Sequence, residues 1–365
     1  LSTNRCRTTI PGSGVRIYPL QGSISAGSRA WALTTDFARP SGISGKSYLA
    51  ECAMRSPVLF LVFNRPEKTR VVFDVIRKAM PSRLYVAADG PREDRKDEAR
   101  RCGEVCEAAT AVDWPCEVKT LFREENLGCG RAVSGAIDWF FSHECEGIIL
   151  EDDIVADISF FRYCDELLDR FRDDDRIMAV TGDYFRRKPR QNGSSYFFSR
   201  YPHMWGWATW RRAWRHYDFG MSRWPELKHS GWLDAVGGGY PDFTQYWTRI
   251  FDRTSAGRID TWDYQWFFSC WLQNGLVVTP SRNLCRNIGF GEDATHTKTD
   301  GEWRSRLPLG NMPFPLHHPQ QILRDADFDR WLDLHLFQTR DSLWKQARRQ
   351  LGLLKRKTKK LFGSS

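Results

Sequence analysis

Three carboxylates stand in a row at Glu151-Asp152-Asp153, directly after the apolar run Gly147-Ile148-Ile149-Leu150. Four apolar residues bounded by Gly and by charge fit a buried strand, although periodicity alone also allows a buried helix segment. Acids crowded at the end of a buried strand repel one another, and that cost needs a compensating partner. Hard oxygen ligands suit Mg2+ or Mn2+. In open α/β sheets ligands bind outside the carboxyl ends of the strands, which is where these acids would sit. For an isolated Asp-Asp pair a solvated turn capping the next helix is the simpler reading, so the surrounding elements decide.

Those elements alternate. Residues 57–63 read as a buried strand ending at Asn64-Arg65-Pro66, with Pro66 suited to the first turn of a helix. Val71, Val72, Val75, Ile76 and Ala79 are expected on that helix's apolar face. Further strands read at 83–88, before Asp89-Gly90-Pro91, and at 118–122, before Asn126-Leu127-Gly128. Helices are expected over 94–109, through Phe141, and along the stripe Phe160, Phe161, Leu167, Leu168 and Phe171, with a strand at 177–181. This order predicts an α/β fold with a mostly parallel central sheet and helices on both faces. It sets the loops after Phe63, Ala88, Phe122 and Leu150 along one edge. The second half is aromatic: 196–198 reads as strand, 205–214 as a block of tryptophans and cations, 231–241 as a Gly-rich loop and 277–280 as an edge-like strand. An aromatic helix opening within 260–267 ends at Asn274-Gly275, a common C-terminal signal.

The formal net charge of +9 points to an anionic partner until it is located. Residues 341–365 hold eight Lys/Arg against one Asp, and 1–53 hold six against two acids; the ends thus carry +7 and +4 and leave 54–340 at −2. A nucleic-acid-binding face on the body is therefore not implied. Residues 341–362 place Trp344, Ala347, Leu351, Leu354 and Leu361 on one helical stripe with Lys/Arg elsewhere. That pattern suits a C-terminal basic amphipathic helix on an anionic membrane surface, and a solvated basic tail has the same composition. Residues 1–53 are rich in Ser, Gly, Thr and Arg, and the first methionine is Met54, so 1–53 reads as a disordered leader or upstream segment and 54–340 as the folded domain. The ten cysteines show neither metal-site nor Cys-x-x-Cys spacing and read as reduced thiols of a cytosolic protein. No apolar run approaches the roughly 18 residues of a membrane span.

In order and spacing these motifs resemble GT-A fold glycosyltransferases, nucleotide-sugar-dependent enzymes with a Rossmann-like sheet. They look most like the family-2-type bacterial transferases and the relatives of N-acetylglucosaminyltransferase I. The resemblance spans about residues 56–300, with 54–155 as nucleotide-binding half and 156–300 as acceptor and catalytic half. It implies that Glu151-Asp152-Asp153 corresponds to the Asp-x-Asp metal motif, with Asp153 as ligand of Mn2+ or Mg2+. It implies Asp263 as general base. The loop Asp293-Ala294-Thr295-His296-Thr297 resembles the late histidine segment, which implies His296 as a second ligand and tilts the choice toward Mn2+. Asn64, Arg65, Asp89 and Asn126 are then expected to line the nucleotide-sugar pocket beside Glu151 and Asp152. Arg131 is expected to meet phosphate together with helix N-terminal N–H groups, and Trp205 and Trp207 to wall the acceptor site. Plainer readings stand beside these. Asp263 or Asp260 can cap the aromatic helix, Asp89-Gly90-Pro91 suffices as a turn, His296 and Arg131 can be solvated, and the tryptophans can be core.

The function so implied is sugar transfer from a nucleotide-diphosphate donor to a glycan or lipid-linked acceptor in bacterial surface polysaccharide or lipopolysaccharide assembly, on the inner face of the cell membrane. A sugar-phosphate nucleotidyltransferase shares the sheet type but normally carries a Gly-rich, Lys/Arg-bearing loop after the first strand, where this chain has Asn64-Arg65-Pro66-Glu67. A non-enzymatic membrane- or RNA-binding protein leaves the three strand-end acids without a purpose. The tail makes one prediction: deletion of 341–365 abolishes co-sedimentation with anionic liposomes, and unchanged binding removes the membrane role.

Overall fold

The computed structural model describes residues 54–191, 193–290 and 302–340. Strand β1 (Val58–Val62) is buried at all of its positions, as a strand covered on both faces must be. Pro66 opens α1 (Pro66–Ala79), whose buried face is Pro66, Thr69, Val72, Phe73 and Ile76. Val71, expected on that face, is 48% exposed; the stripe lies about 100° per residue away from it. Then follow β2 (Arg83–Ala88), α2 (Glu98–Ala109), β3 (Glu117–Phe122), α3 (Gly128–His143) and β4 (Glu146–Glu151). After β4 come β5 (Ile154–Ala156), α4 (Ile158–Arg170), β6 (Ile177–Thr181), β7 (Tyr196–Ser199) and β8 (Trp207–Trp210). The last third holds α5 (Pro241–Ser255), α6 (Asp263–Leu272), β9 (Leu276–Pro280), β10 (Cys285–Asn287) and α7 (Ala326–His335).

Eight strands form one sheet in the order β3-β2-β1-β4-β8-β6-β9-β7. The first four run parallel, β8 is antiparallel to both neighbours, β6 and β9 pair parallel, and β7 closes the edge antiparallel. The fold is α/β with a large, mostly parallel sheet, and alternation along each strand divides its core in two. Leu59, Leu61, Tyr85 and Ile149 pack with α3, α5 and α6 on one face. Val58, Phe60, Val86, Ile148 and Leu150 pack with α1, α2 and α4 on the other. Two expectations change. The strand at 277–280 lies inside the sheet between β6 and β7. The expected loop at 231–241 contains the short helix Trp232–Gly237 and the first residue of α5.

Met54 is buried, and the N–H groups of Arg55 and Ser56 donate to the Asp165 carboxylate at 2.9 and 2.8 Å. The expected leader at 1–53 and basic helix at 341–362 lie outside the described residues. Among the described residues the cysteines are free thiols, and no helix is long and apolar enough to cross a membrane.

Gly147, the second residue of β4, stands where no larger residue fits: a Cβ there would lie 2.3 Å from Phe140 Cζ and 2.8 Å from the Pro57 carbonyl oxygen. Overpacking of this kind costs about 1–3 kcal/mol. Gly147→Ala is therefore expected to lower the unfolding free energy by about that amount, read as a lower urea midpoint at an unchanged m-value.

Candidate active site

The chain builds β1, β2 and β3 outward to one side, then returns to lay β4 on the other side of β1. The strand order thus reverses between β1 and β4, the switch point at which such sheets bind ligands. The loop after β1 delivers Arg65, and the end of β4 delivers Glu151, Asp152 and Asp153. Arg65 Nη1 lies 2.6 Å from Asp153 Oδ2 and 3.4 Å from Asp152 Oδ1. The Phe63 N–H donates to Asp152 Oδ2 at 3.3 Å. Antiparallel pairing of β5 with β10 folds the later chain back over these acids, where the Ile288 N–H donates to the Asp153 carbonyl at 2.8 Å. Gly289 follows so closely that a Cβ on it would sit 1.9 Å from Asp153 Oδ2.

Desolvation, repulsion from Asp153 and Asp152, and Asp263 beyond them push the Glu151 carboxyl up to about 8. Desolvation and Asp153 push Asp152 up to about 7, with Arg65 and the Phe63 N–H acting against the rise. In donor type and charge this set suits a hard divalent cation. Among the described residues no three His, Cys, Asp or Glu side chains converge as a ligand set, and Asp153 is turned onto Arg65. His296 lies outside the described residues.

Asp263 is the first residue of α6. Its Oδ1 accepts from the Thr261 hydroxyl and, at 2.7 Å, from the Tyr264 N–H. Asp260, its competitor, instead accepts from the Cys129 and Gly130 N–H groups at 3.0 and 2.9 Å. Asp89 accepts from the Leu127 and Gly128 N–H groups at 3.0 and 3.1 Å. Two carboxylates thus satisfy the N-terminal N–H groups of α3. This corrects the phosphate contact expected at Arg131: the backbone donors it relied on are taken, and the exposed Arg131 guanidinium lies 5.1 Å over the Phe219 ring. Asn64 donates to the Glu98 carboxylate at 2.7 Å, and Asn126 to the Gly90 carbonyl at 2.7 Å. Both side chains hold loops together at the crevice rim.

Trp207 is 1% exposed and stacks on Trp262 at 5.6 Å, with Trp214 and Trp266 around it, so it is core and does not wall a cleft. Alternation along β8 turns it to the α6 face. Trp205 is half-buried, with Phe185 at 5.1 Å and Phe290 at 5.5 Å. Phe185 adopts φ +59°, a conformation unusual for an aromatic residue. Asn283 holds it there by accepting from the Tyr184 and Phe185 N–H groups at 3.0 and 2.7 Å. Gly289, Asn283, Phe185 and the capping role of Asp260 had no local signal in the sequence, because each acts on a partner from a distant element.

No family profile and no curated protein matches the chain. Among solved structures, HddC from Yersinia pseudotuberculosis aligns over 43% of this chain and 77% of its own, at 11% identity and a TM-score of 0.26. A likeness at that level carries no argument about function.

The raised carboxyl groups make a signed prediction. A carboxyl whose folded pKa exceeds its unfolded value stabilises fully below the unfolded value, here 4.5 for Glu151 and 3.8 for Asp152, and that contribution is lost as pH rises through about 8 and about 7. With a chelator present, the melting temperature is expected to fall between pH 5 and pH 8, and Glu151→Gln to flatten that fall. Parallel profiles would remove Glu151 as the cause.

Proposed function

We propose that the protein is a glycosyltransferase that moves a sugar from a nucleotide-diphosphate donor to a hydroxyl of a glycan or lipid-linked acceptor. The observation that carries this reading is the meeting of Arg65 with Glu151, Asp152 and Asp153 at the switch point between β1 and β4, with Asp263 within electrostatic reach of Glu151. Asp153, with Asp152 beside it and His296 by sequence, would hold Mn2+ or Mg2+, which when bound supplies Lewis-acid neutralisation of the departing diphosphate. Arg65 supplies a second positive charge at the same crevice and holds the carboxylates in place before the donor arrives. The loops at 63–65 and 89–91, tied by Asn64, Asn126 and Asp89, shape the pocket for the nucleotide.

Asp263 takes the proton from the acceptor hydroxyl as that oxygen attacks the sugar. The Thr261 hydroxyl and Tyr264 N–H hold its carboxylate in one orientation, which is what a general base requires. A single side-chain base acting on the attacking hydroxyl favours inversion at the sugar carbon. Trp205 and Phe290, backed by the buried Phe185, give an aromatic wall against which a sugar ring packs while water is excluded. Assembly of bacterial surface polysaccharide, with peripheral membrane attachment through 341–362, is the setting that the sequence supports.

Melting temperatures with a panel of nucleoside diphosphates, with and without Mn2+, test the reading. A metal-dependent rise with one of them names the base, and no rise with any overturns the donor site. With the matching nucleotide sugar, Asp263→Asn is expected to lose at least about 100-fold in kcat at unchanged nucleotide affinity. Equal turnover by Asp263→Asn removes the base assignment. Formation of nucleotide sugar from a nucleoside triphosphate and a sugar 1-phosphate transfers the protein to the nucleotidyltransferases.

A further inference from the structure

The loop between β6 and β7 carries Arg186-Arg187-Lys188-Pro189-Arg190, a concentrated positive run on an otherwise slightly acidic body. Its backbone is held firmly at both ends. Asn283 donates to the Arg186 carbonyl at 2.8 Å, and the Arg190 N–H donates to the Ser281 carbonyl at 2.8 Å. A cavity of about 220 Å3 opens between this loop and the start of α7, lined by Arg186, Arg190, Asp325, Asp327 and Phe328.

The two arginines lie over aromatic rings. The Arg186 guanidinium lies 4.6 Å over Trp331 and 5.3 Å over Phe328, and that of Arg190 lies 4.3 Å over Phe197. Such stacking keeps the planar donor fork oriented and leaves its edge to recognise an oxyanion. Arg190 is paired with Asp325 at 2.5 Å, and Asp325 also accepts from the Phe328 N–H at 2.8 Å, so that carboxylate is already engaged twice. The Tyr184 hydroxyl lies within electrostatic reach of Arg186, whose buried Nε lacks a hydrogen-bond partner among the described residues. Asp327 is the other acid at the rim and is exposed. Against these two carboxylates stand four cations, since Arg187 and Lys188 are exposed on the same loop.

We propose that this cavity is a second anion site, distinct from the β1–β4 crevice, that takes a phosphate-type oxyanion on Arg186 and Arg190. The inference does not rest on the glycosyltransferase reading. An oxyanion would accept from both guanidinium forks, with Arg187 and Lys188 adding attraction at longer range. The source is either the phosphate of a soluble ligand or that of a lipid headgroup.

The test uses the full-length protein and inorganic pyrophosphate. Arginine modification by phenylglyoxal, followed residue by residue by mass spectrometry, is expected to slow about tenfold at Arg186 and Arg190 when pyrophosphate stands at about ten times its dissociation constant, with Arg187 much less affected. Arg65, read in the same experiment, reports the β1–β4 crevice separately. Protection at Arg65 alone, or at neither place, overturns the second site without touching the first. Calorimetric titration of Arg186→Gln/Arg190→Gln is expected to show one pyrophosphate site fewer than wild type, and an equal count overturns the proposal. Sedimentation of the wild type and the double variant with phosphatidylglycerol vesicles then separates the sources. Weaker vesicle binding by the variant assigns a headgroup, and equal binding assigns a soluble phosphate.

Discussion

Three carboxylates crowded at the end of one strand, Asp152 buried and the other two half-buried, with the Arg65 guanidinium across from them, set the main constraint on this structure. Desolvation and the neighbouring Asp153 charge disfavour the ionised forms of Glu151 and Asp152, a cost that a nearby cation offsets. Arg65 meets part of that demand from the first strand loop, and the Phe63 N–H meets a little more. The parallel pairing of β1 with β4 is what brings these groups to the same height in the sheet. The close passage of Gly289 then covers the acids and limits what can approach Asp153.

Two further carboxylates do structural work that keeps this crevice in register. Asp89 and Asp260 both reach the N-terminus of α3, one from the loop after β2 and one from the segment that leads to Asp263. Because Asp260 is fixed on α3, the short stretch from 260 to 263 has little freedom, and Asp263 is directed toward Glu151. The positive end of the helix is neutralised by the chain itself. A buried network anchors the other side of the molecule: Arg200 pairs with Asp333 at 2.9 Å, while Asp329 accepts from Ser199 at 2.5 Å and from Arg324 at 2.6 Å. These groups join β7 to α7. Such pairs gain little over an apolar core but are expensive to break singly, so they hold one arrangement against its alternatives.

The aromatic half shows how far local reading reaches. Sixteen tryptophans suggested both core and ligand wall, and Trp205 and Trp207 are only two residues apart. Trp205 packs against both halves of the core, whereas Trp207 lies inside the strand on the α6 face and is closed in by Trp214, Trp262 and Trp266. Trp205 lies just before the strand begins and keeps an exposed portion against Phe290. Strand ends and neighbouring helices decide that difference, and neither is written in the pair itself. Helix α5 is the opposite case. Pro241 at its start and Phe243, Trp247, Ile250, Phe251 and Thr254 on its buried face are a legible pattern, obscured by the glycines before it.

Sequence by itself determined the alternation of strands and helices up to β6 except for the short β5, the two-sided burial of the sheet, and the strand-end position of Arg65, Asp89 and the three acids. These follow from periodicity and from punctuation by Gly, Pro and charge, which act over a few residues. Tertiary structure alone decided that Asp260 caps α3. It also decided that the backbone donors expected to serve Arg131 are already occupied, that 277–280 runs inside the sheet, and that Trp207 is core. Each of these depends on a partner distant in the chain, and the free energy of such a contact resides in the pair, not in either residue's neighbours.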